Sequence, residues 1–163
     1  MDHAPDRIHW GTVATSVFVA FALSIVVLPD AVAPVRPAFV PMAAFYWILS
    51  APDRFGVVIG ASMGLMLDVL TGSLLGSHVL ALVVPCYLVA RGARVLRFLP
   101  AWQQSLMLLP LWGLYAFVLF WIDGATDRNA DALLRFLPVL TTALAWPLFC
   151  AVLDWWTHPD TDN

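Results

Sequence analysis

The chain contains no lysine and no glutamate: all 8 basic residues are Arg and all 11 acidic residues are Asp. Without Lys there is no phosphate-binding glycine loop of the kind that ends in Gly-Lys-Ser/Thr. Charge of either sign is scarce, at 12% of residues, against about 25% in a soluble domain. The net charge of -3 is too small to steer a nucleic acid or to argue for one as a partner. Cysteine is nearly missing. Cys86 and Cys150 sit alone in apolar runs, a pattern of small buried hydrophobes rather than of a disulfide or a metal site. His3, His9, His78 and His158 are scattered without metal-ligand spacing, so no cofactor is expected.

What the chain has in quantity is apolar surface. Of 163 residues 61% are hydrophobic, and the mean hydropathy is +0.84. Too little polar surface remains to cover a globule in water, so lipid must cover it. Runs bounded by charge or proline fall at residues 10–28, 35–50, 55–70, 74–90, 102–122 and 136–153. They predict an all-α integral membrane protein, a six-helix transmembrane bundle forming one domain over residues 1–163. The second and third runs have 16 residues each and reach only ~24 Å, short of a ~30 Å hydrocarbon core. Between residues 55 and 90 the one formal charge is Asp68. That stretch is too long for one span, and Thr71-Gly72-Ser73 is the natural turn. Arg7, the run from Thr12 to Leu28 and Ala31-Val32-Ala33 resemble a signal peptide. Asp2 and Asp6 in the charged leader, and the spans that follow, favour an uncleaved first span. Arg7, Arg54, Arg91, Arg94 and Arg97 share one side, and Arg36, Arg128 and Arg135 the other. The positive-inside rule then places both termini in the cytoplasm. Trp10, Trp102, Trp121, Trp155 and Trp156 fall at run ends, where the ring sits at headgroup level.

Three groups of residues stand out. Gly56, Gly60 and Gly64 recur every fourth position in the third run, and Asp68 continues the spacing. On a helix they form one face along which another backbone can pack closely, whether from this bundle or from another protein. Asp68 carries two penalties, membrane depth and a nearby helix C-terminus. It therefore calls for a partner, with His78 or a donor in the 71–73 turn as candidates. Arg91, Arg94 and Arg97 follow the fourth run at helical spacing, suited to anionic lipid or to an acidic cytoplasmic partner. Catalysis has little support. Ser77 and His78 are adjacent and diverge on a helix. A triad of Asp68, Ser73 and His78 around the turn lacks an oxyanion hole by spacing.

The run from Asp68 through Thr71-Gly72-Ser73 to Ser77-His78 resembles the signature of the MreD family of rod shape-determining membrane proteins. Arg36-Pro37, Tyr46-Trp47, Pro52-Asp53-Arg54-Phe55-Gly56, Trp102-Gln103-Gln104, Trp121-Ile122-Asp123-Gly124, Trp146-Pro147 and Asp154 agree in order and spacing over residues 34 to 156. The acidic tail departs from the family, whose members often end in basic residues. The resemblance implies a non-enzymatic inner-membrane subunit of the bacterial elongation machinery. It implies binding to MreC and membership in one assembly with MreB, RodA and its transpeptidase, in support of lateral peptidoglycan synthesis. It also implies a six-helix shape similar to the substrate-binding subunits of energy-coupling-factor vitamin transporters. That likeness makes a small-molecule-binding subunit the main alternative. The glycine face of the third span is the first candidate surface for MreC.

Overall fold

The computed structural model describes residues 10–26, 35–125 and 132–157, with side chains from 136 in the last segment. Among them are six helices: α1 (Trp10–Ile25), α2 (Phe39–Ser50), α3 (Pro52–Thr71), α4 (Ser77–Leu96), α5 (Ala101–Ala125) and α6 (Ala132–Thr157). Strands are absent from the described residues. Four segments are long and apolar enough to cross a bilayer: Pro52–Thr71, Ser77–Leu96, Ala101–Ala125 and Phe136–Thr157. Large apolar side chains such as Phe18, Leu144, Leu148 and Trp121 stand fully out on the surface. Lipid tolerates such a belt and water does not. This is a multi-pass helical membrane protein.

α1 and α2 are shorter than the rest. α2 has 12 residues, about 18 Å of helix. Its composition explains its place. Residues 40–49 are all buried, and apolar side chains surround the axis without a polar face, the pattern of a helix enclosed on every side. α1, α3, α4 and α6 pack around it, and from α5 Trp112 stacks on Phe45 with centroids 6.1 Å apart.

The chain reverses between α2 and α3 on one residue, Ala51. Its N–H bonds the Trp47 carbonyl at 3.0 Å, and Pro52 follows as the first residue of α3. Proline suits that position because its fixed φ is helical and its missing N–H has no helical partner there. At Gly56 the backbone turns to φ +33° and α3 kinks, a conformation glycine adopts at no steric cost.

α3 and α4 form the closest hairpin in the bundle. Gly60 and Gly64 make it possible. A Cβ on Gly60 would lie 2.6 Å from Cys86 Sγ, and one on Gly64 would lie 2.7 Å from Val79 Cα. A Cβ on Gly56 would meet nothing within 4 Å. Two of the three glycines therefore seat α4, and the third permits the kink. Of the two neighbours considered for this face, one from the bundle and one from another protein, the fold supplies the first: α4 packs against Gly60 and Gly64. The connection is residues 72–76, and α4 begins at Ser77, three residues beyond the start of its apolar run. Gly72 and Gly76 hold φ of +62° and +101°.

The helices alternate in direction. One end of the bundle, the turn end, gathers Ser24, Arg36, Thr71, His78, Leu119 and Pro138 around one cavity. The opposite end joins α6 to α2, where Tyr46 Oη donates to Asp154 Oδ1 at 2.6 Å. From the next residue of α2, Trp47 Nε1 donates to Ser16 Oγ at 3.0 Å.

Candidate functional site

Asp68 lies in the last turn of α3 and is 1% exposed. Its carboxylate is saturated by the residues that open α4. Oδ1 accepts the hydroxyls of Ser73 at 2.8 Å and Ser77 at 2.9 Å. It also accepts the backbone N–H of His78 at 2.9 Å and lies 2.7 Å from His78 Nδ1. Oδ2 accepts the backbone N–H of Gly76 at 2.8 Å.

This answers both penalties seen in the sequence. The α3 C-terminus repels an anion, but the α4 N-terminus starts directly beneath the carboxylate and attracts it. α4 has no capping side chain of its own, since its N-cap is Gly76. Asp68 supplies the cap from the preceding helix. Both candidate partners, His78 and the turn donors, bond to it. The Asp68 carbonyl in turn accepts the N–H of Ser73 at 3.2 Å, so the same residue closes the end of α3 through its backbone and caps α4 through its side chain.

Asp68, Ser73 and His78 do converge, but not as a catalytic relay. A triad needs the acid on one imidazole nitrogen and the nucleophile on the other. Here Asp68 Oδ1 lies 2.7 Å and Ser73 Oγ 3.2 Å from the same Nδ1. Ser77 Oγ donates to Asp68 as well. The hydroxyls serve the carboxylate.

His78 also lines the 340 Å³ cavity at the turn end, together with Arg36, Trp112, Tyr115 and Thr142. Arg36 Nη1 donates to the Val26 carbonyl at 3.1 Å, and Nη2 donates to the carbonyl of Leu23. The cation thus caps the C-terminal turn of α1, where the helix dipole favours it. Thr142 Oγ1 accepts the N–H of Ala38 at 2.9 Å, a second helix start capped from a distant helix. Trp112 Nε1 is buried and has no hydrogen-bond partner among the described residues. The sequence marks Arg36 for topology and for the family resemblance, places Trp112 mid-run against other helices or lipid, and singles out neither Tyr115 nor Thr142. Arg91, Arg94 and Arg97 are exposed along the end of α4, at the end remote from Asp68, with the Arg97 guanidinium 4.8 Å from the Phe98 ring centroid.

The model of the family described as rod shape-determining protein MreD matches residues 6–155. The chain belongs to the MreD family. It is 26% identical over 140 residues to the rod shape-determining protein MreD of Haemophilus influenzae, covering 86% of each chain. Both helices of the hairpin that Asp68 ties lie inside the matched MreD region. Membership supports a place in the machinery that determines cell shape. No solved structure matches the fold.

Proposed function

We propose that the chain is a non-enzymatic subunit of the bacterial elongation machinery that binds MreC and helps organise lateral peptidoglycan synthesis. It lies in the inner membrane with both termini cytoplasmic, following the Arg distribution, and the turn end faces the periplasm. The observation that carries the reading is the saturated carboxylate of Asp68. The most polar cluster of the described residues is spent on holding two helices together, with the Ser73 and Ser77 hydroxyls bonded to the same acid.

That cluster fixes a rigid tip. Leu74 and Leu75 are 58% and 72% exposed on it, held between the two left-handed glycines. We place the MreC contact at this tip, because α4 covers the glycine face of α3. RodA, its transpeptidase and MreB would belong to the same assembly, reached directly or through MreC. Arg91, Arg94 and Arg97 would hold the cytoplasmic end of α4 to anionic lipid.

Co-purification with MreC tests the placement. Leu74→Ser with Leu75→Ser should keep the protein folded and lower MreC recovery about tenfold, the order expected when interface side chains are truncated. Undiminished recovery removes the tip from the interface. The alternative of a small-molecule-binding subunit is favoured by one observation, the cavity beside His78, whose volume falls in the range of ligand sites.

A further inference from the structure

The cavity at the turn end has a neighbour. A groove of about 600 Å³ runs between α1 and α3, lined by Phe18, Phe21, Ala22, Met66 and Leu70 among other apolar residues. The same two stretches of helix wall both spaces. Ser24 and Thr71 face the cavity, while Ile25 and Leu70 face the groove. α1 rests on α2 and barely touches α3, so the wall between the spaces is thin. The cavity sets Arg36, Thr71, His78 and Thr142 in a largely apolar lining, whereas the groove is lined by apolar residues throughout.

The formal charge that lines the cavity is of one sign. Arg36 is the only formally charged residue lining it among the described residues. The guanidinium has five N–H donors. Bonds to the Leu23 and Val26 carbonyls engage two of its nitrogens and leave donors over. Asp68 does not line the cavity: its carboxylate is 1% exposed and is directed to donors of the 72–76 connection and the start of α4. Trp112 in the wall holds a buried indole N–H without an acceptor among the described residues. A volume of 340 Å³ has room for roughly ten water-sized groups at ~30 Å³ each, enough for a phosphoglycerol head.

We propose that cavity and groove together hold one membrane amphiphile with an anionic headgroup, the head at Arg36 and an acyl chain between α1 and α3. The apolar groove without the cavity would take any bulk lipid. The cavity without the groove would take a soluble anion. Their shared wall points to a molecule with both parts. The inference stands apart from the MreC reading, since it concerns the chain alone.

The test uses the purified full chain in detergent, titrated with phosphatidylglycerol, with phosphatidylcholine of the same acyl chains, and with glycerol 3-phosphate, and read by native mass spectrometry. One phosphatidylglycerol per chain should be retained, at least tenfold more tightly than phosphatidylcholine. Arg36→Gln should weaken it roughly fivefold or more, about the effect of one cation near an anionic head. Arg36→Lys should keep the headgroup preference, which separates charge from the capping of α1. Ala22→Trp fills the groove without touching Arg36. It should weaken the lipid and leave glycerol 3-phosphate unchanged. Equal affinity for the two lipids overturns the proposal. So does glycerol 3-phosphate binding as tightly as the lipid with Ala22→Trp silent, which assigns the cavity to a free anion. Failure to retain any lipid, with a photoreactive group at Thr71 labelling a partner polypeptide in membranes, assigns it to protein and overturns the proposal too.

Discussion

The carboxylate of Asp68 receives the backbone N–H of His78 at 2.9 Å and lies 2.7 Å from the ring nitrogen of the same residue. One side chain at the end of α3 therefore fixes both the start of α4 and the orientation of its second residue. Asp68→Ala removes the acceptor and leaves buried N–H and hydroxyl groups unpaired. The expected loss is about 2–4 kcal/mol, from a lost cap together with unsatisfied buried donors. Asp68→Asn keeps one acceptor oxygen and should lose less. Thermal unfolding in detergent measures both, and equal stability of Asp68→Ala and the parent contradicts the capping role.

The two packing glycines should respond differently. Gly64 faces backbone, with Val79 Cα 2.7 Å from the site of an added Cβ, and backbone cannot step aside cheaply. Gly64→Ala should cost about 1–3 kcal/mol, the usual range for overpacking. Gly60 faces the side chain of Cys86, whose Sγ and Cβ lie 2.6 and 2.9 Å from the site of an added Cβ, so Cys86→Ala should relieve Gly60→Ala in part and Cys86→Gly more fully. Gly113 has open space around it, and Gly113→Ala should be neutral or stabilising by up to ~1 kcal/mol through helix propensity. Loss of the MreC complex in Gly60→Leu or Gly64→Leu would then report a damaged hairpin rather than a lost docking face.

Thr142 is predicted to matter to α2 although it belongs to α6. Thr142→Val is nearly isosteric and removes the acceptor of the Ala38 N–H. It should destabilise by about 1–2 kcal/mol, while Thr142→Ser should keep most of the bond. Hydrogen exchange at Ala38 gives the direct readout: faster in Thr142→Val and unchanged in Thr142→Ser.

At the opposite end, Tyr46→Phe removes the hydroxyl that donates to Asp154. A loss of about 1 kcal/mol is expected. Asp154→Ala should cost a similar amount. The double variant should cost little more than either single one, because both remove one bond. Additive losses would show that the two residues act separately.

The sequence made the apolar runs and the turn near residues 71–73 legible, because a lipid environment forces apolar length and glycine marks reversal. The glycine spacing announced close packing, but spacing alone cannot name the helix that comes to it. Here the short 72–76 connection brings α4 back along the same face. The caps were hidden for a different reason. Ala38 and Gly76 offer no side-chain acceptor, and the groups that do the capping, Thr142 and Asp68, sit on other helices. Asp68 was near enough in sequence to be suspected, and Thr142 was not. The cavity was illegible in the same way, since Arg36, His78, Trp112 and Thr142 come from four separate segments. The enclosure of α2 had a signal that went unread: residues 39–50 are apolar around the whole axis, which a lipid-facing helix with one packed side does not require.

The most direct measurement places a photoreactive amino acid at Leu75, and for comparison at Leu106 on the exposed face of α5, in cells that carry MreC. The account predicts a crosslink to MreC from Leu75 and none from Leu106, with the Leu75 adduct weakened when Asp68→Ala loosens the tip. Adducts from Leu106 with none from Leu75 would contradict it.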